Sequence, residues 1–386
     1  MPLADLRRYL KDHLLNQVMP FWMKGAVDEQ GGINTCIQDD GTIVSHEKFM
    51  WSQLRAIYTF SALYNRIQPR QEWLDIAAQI FRFCAKYGRD EEGRWIFRVD
   101  REGRPLEGAT SIYVDGFALQ GLSEFIRATD DAEAKSLALA TFRNVSARLA
   151  QPGSYETAPY AVPAGLKAHG VSMIFSNAFF ELSRSLGDPQ IARAALDQAT
   201  QVMDHFRRPD KQVLLEYVQL DGTAQDSPIG RCVVPGHAIE SMWFQIHQFR
   251  HLGMTERVGQ CVECLRWHVE KGWDPEFGGI LLGLDAEGKT PVYWSFPEVK
   301  LWWPVTEAMY ALLLAHTLCG EPWCLEWYWK VQKIAFRHYP VPQYGEWRQR
   351  LDRRFQPLTQ VVALPVKDPF HLPRCLILSI ELLRGY

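Results

Sequence analysis

Apolar residues recur at helical spacing along almost the whole chain. Twelve segments carry apolar side chains at positions i, i+3, i+4 and i+7, the pattern of a helix that buries one face. The 386 residues therefore provide about 32 residues for each helix and its connection. This pattern predicts an all-α fold with helices over 3–19, 46–66, 72–87, 113–128, 131–149, 169–186, 189–206, 236–252, 255–271, 302–319, 322–338 and 370–384.

The connections between these helices alternate between short and long. Short turns occur at Gly187–Asp188 and Gly320–Glu321. The long loops contain short strand-like pieces and turn residues. Six helical hairpins joined in this way predict a closed ring of paired helices, an (α/α)6 barrel, because an open solenoid would show a clearer repeat. No linker-like tract interrupts the chain, so we expect a single domain over 1–386, with a cleft lined by inner-helix ends and long loops.

Composition excludes several classes of protein. The chain is 47% hydrophobic, which argues against disorder, and its net charge of −3 argues against nucleic-acid binding. No apolar run reaches the roughly 18–20 residues of a membrane-spanning helix. Charges interrupt the N-terminal segment where a signal peptide needs an apolar core, so we expect a cytoplasmic protein with eight reduced cysteines. Cys261 and Cys264 form one CxxC pair, which favours buried apolar residues over a metal site.

Polar residues stand among aromatic ones on four of the predicted helices, two of which carry Arg55 and His237. Arg55 lies on a helix dense with aromatic residues, where a guanidinium must either pair with a buried carboxylate or face a wet cavity. His237 lies in the first turn of its helix, where the positive end of the helix dipole is expected to lower the imidazole pKa and favour a general base. Glu240 shares its face. An exposed histidine beside a capping glutamate is the alternative.

Two further helix starts carry similar combinations. Trp303 and Glu307 form an aromatic platform beside a carboxylate, an arrangement suited to stacking on a sugar and binding its hydroxyls; capping of an apolar helix is the alternative. His371 opens the last helix, next to Arg374. Two histidines at two inner-helix starts can face each other across a central cavity, which is what an enzyme that moves a proton between two faces of a substrate requires.

Two other patterns are weaker. Residues 283–290 match the phosphate-loop pattern GxxxxGK[ST], but no helix is predicted to follow and two acidic residues interrupt it, so a hairpin turn is favoured. Asp115 and Glu124 are candidates for the two carboxylates of a glycoside hydrolase. They are nine residues apart on one helix, so they would not easily flank a single bond.

Four motifs in order along the chain resemble the N-acylglucosamine 2-epimerase family. They are PGHAIESMWF at 235–244, KLWWPVTEAM at 300–309, QYGEWRQRLDR at 343–353 and PFHLPRCL at 369–376. The resemblance covers nearly the whole chain and implies the (α/α)6 barrel that the helix count also predicts. It further implies interconversion of N-acetylglucosamine and N-acetylmannosamine by proton transfer at C2.

The resemblance also implies roles for individual residues. His237 and His371 would act as acid and base, and Arg55 would stabilise the developing enolate. The substrate-binding residues implied by the same motifs are Glu240, Trp303, Glu307, Asn177, Lys300 and Arg374.

Alternatives within and outside the family stay open from sequence. The family also includes mannose isomerases and cellobiose 2-epimerases, so mannose, glucose or cellobiose are alternative substrates. A glycoside hydrolase or a protein-binding scaffold is less favoured. The resemblance implies no required cofactor or metal, ATP as a candidate activator, a small sugar as the partner and a homodimer.

Overall fold

The computed structural model describes residues 1–151, 153–359 and 361–386, and the described part of the chain is mainly helical. Short π-helical turns extend three of the helices, at Leu14–Val18, Leu63–Ile67 and Val202–Phe206. The helices in chain order are α1 (Leu3–His13), α2 (Met19–Met23), α3 (Met50–Ala62), α4 (Gln71–Tyr87), α5 (Ile112–Thr129), α6 (Ala132–Leu149), α7 (His169–Leu186), α8 (Pro189–Gln201), α9 (Pro235–His251), α10 (Thr255–Gly272), α11 (Trp302–Cys319), α12 (Pro322–His338) and α13 (His371–Leu382).

Two concentric rings account for twelve of these helices. Helices α3, α5, α7, α9, α11 and α13 are buried along most of their length and pack side by side as the inner ring. Helices α4, α6, α8, α10, α12 and α1 bury one face against them, as amphipathic helices do. The predicted (α/α)6 barrel is confirmed.

The closure of the ring differs from six sequential hairpins. Five pairs are hairpins, from α3–α4 to α11–α12, each joined by a short turn. The sixth pair joins the two ends of the chain, because α1 packs on α13 and α13 packs on both α11 and α3. Arg7 strengthens this pair by donating from Nε to the backbone oxygen of Ile380 at 3.2 Å.

Eleven strands of two or three residues lie in the long loops of the described chain. They pair as β1–β2–β3, β4–β7, β5–β6, β8–β9 and β10–β11, all antiparallel. Their bounds are β1 (Lys48–Phe49), β2 (Arg98–Val99), β3 (Pro105–Glu107), β4 (Leu166–Ala168), β5 (Arg207–Arg208), β6 (Val213–Leu214), β7 (Tyr217–Gln219), β8 (Cys232–Val233), β9 (Leu284–Asp285), β10 (Lys300–Leu301) and β11 (Arg350–Leu351).

These strands fix where the inner helices begin. Strands β1, β4, β8 and β10 run directly into, or end within two residues of, helices α3, α7, α9 and α11. The first of these helices begins at Met50 rather than at residue 46, because Lys48 and Phe49 pair with Val99 and Arg98. The strand-bearing loops and the N-terminal ends of the inner helices therefore occupy the same end of the ring. None of the helices in the described ranges is long and apolar enough to cross a membrane.

Candidate active site

A cavity of about 210 Å³ lies where the inner helices begin. Loop residues around 157–162 and 362–366 close over it. Most of its wall is apolar, with a few polar side chains from the inner helices and from the loops. Among the residues predicted from sequence, those that line it are Arg55, His237, Glu240, Trp303 and His371.

Trp303 packs against both histidines. Its ring is stacked on His237 with centroids 5.2 Å apart, and it is tilted against His371 at 5.8 Å. The close approach to α9 depends on Gly236, because a Cβ added there would overlap the indole ring. The sequence pair Pro235–Gly236 thus starts α9 and also leaves room for the indole. One aromatic ring therefore sets the positions of both imidazoles at the same cavity.

His237 is held by a buried carboxylate. Its Nδ1 lies 3.2 Å from both carboxylate oxygens of Glu216, which arrives from the loop between β6 and β7. Burial alone would lower the pKa of His237, but the negative charges of Glu216 and Glu240 outweigh burial and raise it. The expectation that the helix dipole lowers this pKa is therefore wrong, because the dipole is weaker than a carboxylate in contact.

His371 is the opposite case. Its Nδ1 lies 2.7 Å from Oε1 of Glu307, so Nε2 is the ring nitrogen left for a substrate. Burial, followed by the positive charge of Arg55, moves the pKa of His371 well below its ordinary value, even though Glu240 acts in the other direction. The imidazole is therefore neutral at physiological pH, which is the state that accepts a proton.

The pKa values of the two imidazoles thus move in opposite directions although both residues lie in the first turn of an inner helix. His237 favours the charged form and His371 the neutral form. Two titratable groups whose surroundings move their pKa values apart provide one acid and one base at the same pH. Such a pair can supply one group that removes a proton and one that delivers it.

Arg55 both pairs with a buried carboxylate and faces the cavity, which are the two alternatives that the sequence left open. Its Nη1 donates to Oδ2 of Asp368 at 2.6 Å, and its guanidinium also lines the cavity. The rings of Phe117 and Phe370 lie 3.9 and 4.6 Å from the guanidinium carbon. These cation–π contacts and the ion pair hold a fixed positive charge at the cavity wall.

Arg374 and Glu307 lie behind the cavity and are not among its lining residues. Nη2 of Arg374 donates to Glu240 and, at 2.8 Å, to Oε1 of Glu307. The carboxylates of Glu240 and Glu307 and the ring of His371 converge closely enough to suggest a cation site. The guanidinium of Arg374 already supplies the positive charge between those carboxylates, so these residues do not fit a metal ion.

Asn177 and Lys300 need correction as pocket residues. Asn177 lines a different cavity at the other end of the ring. Lys300 is fully buried, where its Nζ lies 2.9 Å from Asp274 and donates to the backbone oxygen of Arg353 at 2.7 Å. Lys48, just before α3, makes the equivalent contact with Asp28 at 2.8 Å. The lysine before the tryptophan pair is thus explained by support of the loop that precedes α11.

Replacement of Lys300 by Met is expected to lower the free energy of unfolding by about 3 kcal/mol, because breaking a buried ion pair leaves a carboxylate undercompensated. Arg353 still contacts Asp274 at 3.0 Å, so the loss of stability should be at the low end of the range for broken buried ion pairs. Urea unfolding measures the change. K289M, at an exposed lysine, is the matched control. A change in K300M no larger than that of the control would contradict the structural role.

Glu216 and Asp368 are functional candidates that the sequence did not reveal. Each is an acidic residue that is almost fully buried, and each contacts a predicted site residue. A signal for Glu216 was present, because it interrupts the apolar strand-like run VLLEYV at 213–218. Only the fold shows that its partner is His237, because His237 is 21 residues away along the chain.

Replacement of Glu216 by Gln is expected to lower the pKa of His237, because the amide keeps the shape but removes the charge that opposes burial. A smaller fraction of His237 is then protonated at a given pH. The rate of any step in which His237 donates a proton should therefore begin to fall at a lower pH than in the unmodified protein. NMR titration of the imidazole protons measures the pKa. E263Q, at an exposed glutamate, is the control. An unchanged or raised pKa of His237 would contradict the assignment.

The structure also decides the weaker sequence patterns. Asp115 pairs with Arg148 at 2.6 Å and Glu124 with Arg66 at 2.9 Å, and neither carboxylate lines the cavity, so they cannot serve as a hydrolase pair there. Residues 283–290 contain β9 and a turn closed at Gly288, and the next helix is α11, so the turn is confirmed; β9 pairs with β8 rather than with a strand that follows the turn, so the turn does not form a hairpin. Cys261 and Cys264 are buried free thiols.

Comparisons with known proteins establish the family of this chain. The family model described as N-acylglucosamine 2-epimerase (GlcNAc 2-epimerase) matches residues 31–375. The N-acylglucosamine 2-epimerase of Mus musculus is 31% identical over 394 residues, covering 96% of this chain and 90% of that protein.

Solved structures share the fold. Cellobiose 2-epimerase from Bacillus thermoamylovorans superposes with a TM-score of 0.85 at 19% identity, covering 98% of this chain and 99% of that one. A D-mannose isomerase superposes with a TM-score of 0.83 at 15% identity over both full chains. At such low identity these structures establish the barrel and leave the substrate open.

Proposed function

This chain belongs to the N-acylglucosamine 2-epimerase family and is a sugar 2-epimerase, an isomerase, and from this premise we propose that it interconverts N-acetyl-D-glucosamine and N-acetyl-D-mannosamine. The two histidines carry the proposal. His237 and His371 line one cavity, contact one tryptophan and favour opposite protonation states. That combination serves transfer of a proton at one carbon.

The proposed reaction begins with opening of the pyranose, which places an aldehyde at C1 and makes the C2 hydrogen acidic. Nε2 of neutral His371 takes the C2 proton, and the electron pair of the C–H bond moves to form an enolate with its charge on O1. Protonated His237 then delivers a proton to C2 on the opposite face, and the C1 carbonyl reforms. No electrons leave the sugar, so the reaction is redox-neutral.

Arg55 is proposed to stabilise the enolate oxygen. Its guanidinium is fixed by Asp368 and by two aromatic rings, so little reorganisation is needed as negative charge develops. Glu240 and Trp303 line the cavity and are proposed to bind the sugar. Glu307 and Arg374 are proposed to position His371 and Glu240 rather than to contact the sugar.

The shape and polarity of the cavity support an N-acyl monosaccharide. Leu282, Trp294 and Leu364 form part of the apolar wall of the cavity. An acetyl methyl group provides an apolar contact for such a wall, and glucose and mannose lack one. The volume of about 210 Å³ is below that of usual drug-sized pockets and favours a single sugar ring over cellobiose.

Other properties belong to the same proposal. We propose one domain over 1–386, supported by the pairing of α1 with α13 from the two chain ends. We further propose a cytoplasmic homodimer that needs no cofactor for turnover. ATP is retained as a candidate activator to be tested.

Proton NMR in D2O tests the proposed function. The protein is incubated with N-acetylmannosamine, and separately with mannose, glucose and cellobiose, each with and without ATP. We expect deuterium at C2 together with the C2 epimer, and the fastest reaction with the N-acetyl sugar. Fructose formed from mannose would instead identify an isomerase. Retention of the C2 proton in every sugar would contradict the roles of His237 and His371.

A further inference from the structure

A second cavity opens at the end of the ring opposite the histidines. It measures about 720 Å³ and is lined by side chains from the C-terminal halves of inner helices α5, α7 and α9, with others from α3 and α13. Arg374 lies between the two cavities: it lines the second one, and it contacts Glu240, which lines the first. None of the proposed chemistry uses this second cavity.

The floor of the second cavity contains buried polar atoms without partners. Gln120 is 3% exposed and lines the cavity, and neither its amide nitrogen nor its amide oxygen makes a hydrogen bond within the described chain. Nε of Arg374, a residue only 2% exposed, is likewise unpaired. Buried polar groups are ordinarily satisfied, so unpaired groups on two residues that line one cavity point to a partner that the described chain does not supply.

The rim is rich in arginine, and the arginines fall into two classes. Arg66 and Arg127 are neutralised by carboxylates, both of them by Glu124. Arg184 and Arg250 have no carboxylate within 4.0 Å in the described ranges; Nη1 of Arg184 instead lies 2.9 Å from Nδ1 of His251. Two cations at the mouth are therefore available to an anion.

Helix dipoles explain only part of this arrangement. Arg127, Arg184 and Arg250 lie in the last turns of their helices, where positive charge is favourable. That effect accounts for arginines at the rim. It does not explain an unpaired amide and an unpaired guanidinium N–H buried on the floor, where a structural role alone would favour apolar side chains.

We propose that this second cavity binds a small oxyanion, a phosphate or a carboxylate group, between Arg184 and Arg250 at the rim and Gln120 and Arg374 on the floor. Both groups offer the acceptor oxygens that arginine recognises through paired N–H donors. Because Arg374 also contacts Glu240, Glu307 and His371, an anion bound there is expected to change the rate of proton transfer in the first cavity. The expected change in the rate of proton transfer rests on the proposed function, whereas the binding of the anion does not.

Isothermal titration calorimetry of the full chain tests the binding. Inorganic phosphate and acetate are titrated separately, at constant ionic strength in a buffer without phosphate or carboxylate. We expect one site in the millimolar range or tighter for at least one of them, and the stronger ligand identifies the group. R184Q and R250Q should each weaken binding about tenfold, the usual loss for a charged hydrogen bond. Q120L should also weaken it.

The control is R193Q on outer helix α8, an exposed arginine paired with Asp197 and outside both cavities. It should bind like the unmodified protein. Absence of binding for both anions would overturn the proposal. Binding that is unchanged in R184Q and R250Q, or in Q120L, would also overturn it.

The coupling is measured separately, as C2 deuterium exchange with and without the saturating anion. A change in exchange rate that is lost in Q120L supports it, and an unchanged rate with a saturated site refutes the coupling alone. If no sugar exchanges at all, the proposed function fails while the calorimetric result still decides the site.

Discussion

Replacement of His371 by Asn is expected to abolish interconversion of the two epimers while the protein stays folded. A positioned general acid or base contributes about 10² to 10⁴ in rate, and epimerisation needs one on each face of C2. His371 is the group with the depressed pKa, so its loss removes the resting base. The same total loss is expected for H237N, which removes the resting acid. Epimer formation is followed by NMR.

Deuterium exchange should separate the two histidines. Each single variant keeps one imidazole, so each should still exchange the C2 proton of one epimer with solvent without forming the other. H371N and H237N should exchange opposite epimers. H316N, at a histidine outside the first cavity, is the matched control and should behave like the unmodified protein. Exchange of both epimers by either variant would contradict assignment of one histidine to each face.

Replacement of Arg55 by Met is expected to lower kcat by about 10² to 10³, the usual effect of losing a fixed group that stabilises an oxyanion. The loss should appear in kcat more than in KM, because the charge on O1 develops only along the reaction. Removal of the guanidinium also leaves Asp368 buried without its cation, which should lower the free energy of unfolding by about 3 kcal/mol.

The double variant R55M/D368N separates catalysis from folding. It removes the unpaired charge together with the guanidinium, so urea unfolding should show most of the stability restored. Turnover should stay as low as in R55M, because nothing replaces the positive charge at the cavity. Recovery of turnover along with stability would mean that Arg55 acts only through the fold.

The difference between the two histidines arises from what surrounds them rather than from where they stand on their helices. Both lie in the first turn of an inner helix, so the helix dipole acts on both in the same direction. The pKa of His237 is raised by Glu216, and no arginine is among the groups that act on it. Near His371, the positive charges of Arg55 and Arg374 offset the negative charge of the nearby carboxylates. Neighbouring charges a few ångströms away therefore decide which imidazole is the acid.

Local sequence was sufficient for the helices and for five of the residues that line the first cavity. Helical periodicity depends on neighbours within one turn, so the twelve helical segments followed from it, as did the five pairs that are sequential hairpins. The motifs around His237, Trp303 and His371 were recognisable because each is continuous in the chain. Arg55 was detectable because a charge among aromatic residues is unusual anywhere in a sequence.

Tertiary structure alone decided contacts between distant parts of the chain. It paired α1 with α13, brought Glu216 to His237 and Asp368 to Arg55, and gave Lys300 and Asn177 positions outside the first cavity. It also reversed the expected pKa shift of His237. The physical reason is the same in each case. Periodicity reports which face of a helix is apolar, but a pair of charges or a shared cavity depends on distance in space, and spatial distance has no counterpart in the local pattern.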